Sequence, residues 1–104
     1  MNVGEYGVIY AFSTGFDMSG FTTISLTVTR PDGTSFTRTN SSGVTVPASP
    51  ITTTDGIFAA NQYTRYAFLN GDINQVGQYT ARVTYDDTTP QHLISDIGTF
   101  TINP

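Results

Sequence analysis

The stretch Gly77-Gln-Tyr-Thr-Ala-Arg-Val-Thr-Tyr85 decides the fold class. Large or apolar residues alternate with polar ones at the two-residue period of a strand: Tyr79, Ala81, Val83 and Tyr85 share one face, Gln78, Thr80, Arg82 and Thr84 the other. One dry face and one wet face require a second layer against which the dry face is buried. The stretch therefore predicts one half of a β-sandwich.

Working outward, the clearest partner is a hairpin: Phe21-Thr-Thr-Ile-Ser-Leu-Thr-Val-Thr29, the turn Arg30-Pro-Asp-Gly33, then Thr34-Ser-Phe-Thr-Arg-Thr39. Ile24, Leu26 and Val28 point inward and Ser25, Thr27 and Thr29 outward. Pro31 presets φ for the first central turn position, and Gly33 accepts a positive φ where the return strand starts. Earlier in the chain, Tyr6-Gly-Val-Ile-Tyr-Ala-Phe12 reads as a first strand with Val8, Tyr10 and Phe12 on one face. The loop that follows offers Phe16 and Met18 as plugs for one end of the core.

Residues 40–54 are rich in Ser, Thr, Gly and Pro, and neither Pro47 nor Pro50 can donate to a ladder. They read as a loop, or an irregular edge around Val44-Thr-Val46. Tyr63-Thr-Arg-Tyr-Ala-Phe-Leu69 is a strand of open register, with either Tyr66 and Phe68 or Ala67 and Leu69 inward. Residues 70–77 cross to the central strand, tucking Ile73 and Val76 beneath. Asp86-Asp-Thr-Thr-Pro90 is a turn, and a closing strand runs from Leu93 to Ile102. About seven short strands, turn signals between them and no helical periodicity give one all-β antiparallel sandwich domain over residues 1–104.

At this length, roughly 65% of the unfolded chain's surface is buried on folding, enough to dispense with a disulfide. The chain has no cysteine to form one. Charged residues make up 12% of it, against roughly 25% in typical soluble domains, and all four basic residues are arginines. Lysine is a common guard of exposed sheet edges, so its absence reads either as edges covered in an assembly or as the compositional drift of a Thr-rich chain. A net charge of −4 argues against a nucleic-acid surface. No apolar run approaches the roughly 20 residues that span a membrane, and Met-Asn-Val-Gly-Glu does not resemble the start of a secretory signal.

Two resemblances follow. Asp72, Gly77, Tyr79 and Ala81 resemble the tyrosine corner of immunoglobulin domains, with alanine at the place of the second cysteine. Over most of the chain, Phe16-Asp-Met-Ser-Gly20, Thr27-Val-Thr-Arg-Pro-Asp-Gly33, Gly71-Asp72, Gly77-Gln-Tyr-Thr-Ala-Arg-Val83 and the closing Gly98-Thr-Phe-Thr-Ile102 are similar to small immunoglobulin-like domains of tailed-phage virions. Among these are the N-terminal domains of baseplate upper proteins. The resemblance implies an immunoglobulin-like or fibronectin-like sandwich without disulfide. It further implies a non-enzymatic virion part, assembled in the host cytoplasm, whose partners are capsid, neck or tail proteins or further copies of itself.

The residues themselves assign no catalytic, cofactor-binding or metal-binding role. His92, the only histidine, reads as a turn or edge residue. Asp86 and Asp87, with Asp32 or Asp55, read as solvated turn aspartates rather than calcium ligands. Seven phenylalanines and six tyrosines exceed what so small a core holds, which places some of Tyr6, Phe58, Tyr63 and Tyr66 at the surface. There they cap the sandwich, anchor a protein contact, or stack on a sugar. The interface expected from sequence is Phe58, Tyr63, Tyr66, Arg30, Arg38 and Arg65, with Arg30, Arg38 or Arg65 pairing against acidic neighbours.

Overall fold

The computed structural model describes residues 1–104 as nine strands and no helix. These are β1 (Ile9–Ser13), β2 (Phe21–Thr29), β3 (Ser35–Thr39), β4 (Ile51–Thr53), β5 (Gly56–Phe58), β6 (Tyr63–Ala67), β7 (Gly77–Asp87), β8 (His92–Ile94) and β9 (Gly98–Ile102). One layer is the antiparallel sheet β3-β2-β7, continued beyond β7 by β8 and then β9. The other is the pair β1-β6, to which Thr45 adds a bridge at Arg65. β4 and β5 form a small hairpin of their own.

The central stretch behaves as its alternation requires. Tyr79, Ala81, Val83 and Tyr85 are buried; so are Ile24, Leu26 and Val28 beside them on β2. Opposite these, β1 and β6 contribute Phe12 and Tyr66, with Phe68 just beyond, and the two inner faces share one cluster with Met18, Phe36, Val44, Ile73 and Ile102. Tyr79 closes a tyrosine corner: its hydroxyl donates to the Gln75 carbonyl and accepts from the Gln75 amide, both at 3.0 Å. The β2–β3 turn forms around Pro31, Asp32 and Gly33, with the Gly33 amide donating to the Arg30 carbonyl and Gly33 at φ 91°.

Four expectations need correction. Asp86 and Asp87 extend β7 rather than turn it, because β8 pairs with this end. The closing strand is two strands: its register on β7 shifts by one residue, and Ser95–Ile97 takes up the slip. Ser95 stitches the break, since its Oγ accepts the Val83 amide at 2.9 Å in place of a backbone carbonyl. Val76 is half exposed, and Ile73 alone fills the space beneath the β6–β7 crossing. Finally, residues 51–53 form a strand within the expected loop. Three ladder positions are too few for an alternation to be read in sequence.

Candidate docking groove

Three of the expected interface residues turn inward on one another. Arg38 lies opposite Leu26, so its side chain enters from the inner face of β3. There its Nη2 donates to Asp72 Oδ1 at 2.9 Å and its Nε to the Tyr66 hydroxyl at 3.0 Å, while that hydroxyl donates to Asp72 Oδ2 at 2.6 Å. The Leu69 amide also donates to Oδ2 at 2.8 Å, and Arg30 Nε donates to the Asp72 carbonyl at 3.1 Å. Both guanidiniums sit over the Phe36 ring, at 4.9 Å and 4.8 Å. Asp72 is 3% exposed yet fully partnered, and this cluster ties β3 of one sheet to β6 of the other. Burial first, and then the bond to the Asp72 carboxylate, push the Tyr66 hydroxyl above the usual tyrosine value.

Tyr63 and Tyr66, expected at the surface, are therefore corrected to buried, at 1% and 2% exposure. Tyr66 faces the core because the register places Tyr66 and Phe68 inward. Tyr63 points out of the β1-β6 pair but is roofed over by residues 47–60: its hydroxyl donates to the Ser49 carbonyl at 2.8 Å and its ring lies 6.0 Å from that of Phe58. An outward residue with its own cover cannot be told from a solvated one by period alone. Phe58 is partly buried in this contact, and Tyr6 is 65% exposed. Arg65 is exposed, with its backbone bridging to Thr45.

The carboxylates do not converge. Asp86 pairs across the strands with His92, whose ring has no other hydrogen-bond partner. Asp87 accepts the Tyr85 hydroxyl at 2.7 Å, and Asp32 accepts the Gln75 side-chain amide at 2.6 Å at the far β2–β3 turn.

What stands open is a strand edge. Of the edges in the sandwich, β3's carries the inward-pointing Arg38, a device that blunts strand addition. The β8–β9 edge is broken at Ser95–Ile97, and its end is covered by residues 1–3, where Asn103 bonds Met1 and Val3. The Thr45 edge is a single bridge. β1 has none of these guards. Bonds at its two ends, Thr14 amide to Gln62 carbonyl and Phe68 amide to Val8 carbonyl, fix the phase of its ladder with β6. Alternation then turns the amides and carbonyls of Ile9, Ala11 and Ser13 away from β6, and none of them finds a partner within the chain.

Along this edge runs a groove of about 260 Å³, with Tyr10 to Ser13 on one side and Ile97, Gly98 and Thr99 of the opposite sheet on the other. Phe58 and Asp55 line it from the β4–β5 hairpin, and Asp96 from the break before β9. Burial pushes the Tyr10 hydroxyl up to about 12. A second depression of about 280 Å³, on the outer face of the large sheet, is lined by Thr27, Thr29, Thr80, Thr84 and Arg82. It overlies completed backbone ladders, whereas the groove exposes unbonded ones. The open edge was missed in sequence because β1 alternates like any half-buried strand; only the absence of lysine pointed toward an edge without the usual guard.

Compared with protein-family models, curated proteins and solved structures, the chain matches none of them.

Proposed function

We propose that this chain is a non-enzymatic structural protein of a tailed-phage particle, a capsid decoration or a neck or tail accessory module that docks on neighbouring virion proteins through strand-edge and apolar surface. The observation that carries the docking reading is the unguarded edge of β1 and the groove beside it. A sheet edge with free amides and carbonyls, no lysine and an unbroken register from Ile9 to Ser13 is costly to leave bare, since it invites aggregation. A partner that completes it removes that cost. Exposed Ile9, Leu69 and Tyr6 extend the apolar surface around the same sheet, and Ile97 extends it on the far side of the groove. The phage setting is supported by the sequence resemblance.

Mass spectrometry of purified particles is the test. Peptides of this chain in constant ratio to the major structural proteins are expected; their absence from clean particles overturns the reading. Electron cryo-microscopy of the same particles then separates head from tail. The competing reading, a carbohydrate- or receptor-binding module, is less favoured, because burial of Tyr63 and Tyr66 leaves Tyr6 as the one exposed ring among its candidate aromatics.

A further inference from the structure

We propose that the β1 groove is a receptor for an extended peptide segment that carries a lysine or arginine, taken up as an added strand on the free edge of β1. The proposal deepens the docking reading above and rests on it for the choice of surface. Three features define the occupant. First, the outward amides and carbonyls of Ile9, Ala11 and Ser13 repeat every second residue, which only an extended backbone can match bond for bond. Second, Tyr10 and Ile97 present apolar surface to the groove, which favours apolar side chains at alternate positions of the segment.

Third, the groove's charge is one-sided. Asp55 and Asp96 both line it, neither carboxylate has a hydrogen-bond or ion-pair partner, and no arginine lines it. Both carboxylates are exposed, so a cation on the segment that reaches either one gains selectivity and on-rate more than affinity. The same charge argues against a second copy of this chain. Copies of net charge −4 repel, and two of the four arginines are committed to the Phe36–Asp72 cluster.

The test is selection of a random-peptide display library against the full chain, followed by titration of the enriched peptides by NMR. Enriched peptides are expected to alternate apolar and polar residues around a Lys or Arg, and to shift the amides of Ile9, Ala11, Ser13 and Ile97. Ala11→Pro removes an outward amide that β6 does not use, so it should weaken binding at least tenfold. N-methylation of alternate peptide amides should do the same without altering the protein, which covers the case of a misfolded proline variant. Asp55→Asn combined with Asp96→Asn should abolish the preference for a basic residue while leaving the ladder-dependent part of binding.

No enrichment, or enriched peptides indifferent to both Ala11→Pro and N-methylation, overturns the proposal. So does a concentration-dependent dimer that Ala11→Pro dissolves in the absence of any peptide, since the edge would then serve a second copy. These outcomes are independent of the particle experiment. A chain present in virions that binds no peptide keeps its place there and loses this groove as receptor, and a peptide binder absent from virions does the reverse.

Discussion

Gly98 shows how one missing side chain shapes the groove. A Cβ built there would lie 2.4 Å from Phe12 Cε2, well inside contact distance, and the Phe12 ring is itself held in the core. Gly98→Ala must push that ring or β9 aside, which costs about 1–3 kcal/mol as overpacking does elsewhere; a lowered urea midpoint at unchanged m-value checks it. Thr64 predicts the opposite sign. It lies on the inner face of β6, wholly buried, and its hydroxyl is the one buried side-chain polar atom without a hydrogen-bond partner. Thr64→Val replaces that hydroxyl with a methyl and should raise stability by about 1 kcal/mol, the low end of the desolvation cost of an unmet polar group. A thermal melt that fell instead would mean the hydroxyl is satisfied after all.

Among elements, the two sheets are joined by polar as well as apolar contact, and the Asp72 cluster is the polar join. Asp72→Ala removes the acceptor of Arg38 Nη2, of the Tyr66 hydroxyl and of the Leu69 amide at once, so a loss of about 3 kcal/mol is expected, the low end for a broken buried pair. Because the three groups share bonds, Asp72→Ala and Tyr66→Phe should be far from additive in a double-mutant cycle. This cluster also marks the limit of sequence reading. The alternation of Ile24, Leu26 and Val28 and of Tyr79 to Tyr85 gave the large sheet correctly, since their inward faces are set by local period alone. Arg38 stands in the same inward phase as Phe36, but a charged residue in a short strand reads as solvent-facing until its acid partner, 34 residues away, is seen beside it. Tyr63 was misplaced for a related reason: its cover comes from a distant excursion of the chain, and period carries no information about what lies above a face.

Across the whole molecule, pH dependence gathers the polar tips of the aromatics into one curve. The Tyr10 hydroxyl, through burial, and the Tyr85 hydroxyl, through its bond to the Asp87 carboxylate, are both pushed from 10.0 up to about 12. A folded value above the unfolded one means that these groups support the fold fully below pH 10.0, and that their support is lost as pH rises from there to about 12. On the acid side Asp17, Asp32 and Asp87 are held below 3.8 by hydrogen bonds from Ser19, from Thr34, and from Thr89 with Tyr85. Their contribution is present above 3.8 and fades as pH falls below it. Denaturant midpoints across pH should therefore form a broad plateau with two shoulders, and tyrosine absorbance should show a late-ionising fraction in the folded protein only.

The guarding of its edges also gives the molecule a valence. β3 is blunted by an inward arginine, the β8–β9 side is interrupted and partly covered by the chain's own beginning, and the Thr45 side is too short to template anything. Growth of a sheet from neighbour to neighbour needs two open sides, one to receive and one to offer, and β1 is the one side that carries neither an inward charge, a break nor a cover at its end. On the proposed docking, such a molecule is expected to terminate a sheet rather than propagate it, taking one strand per copy and crowding onto a surface without polymerising into fibres.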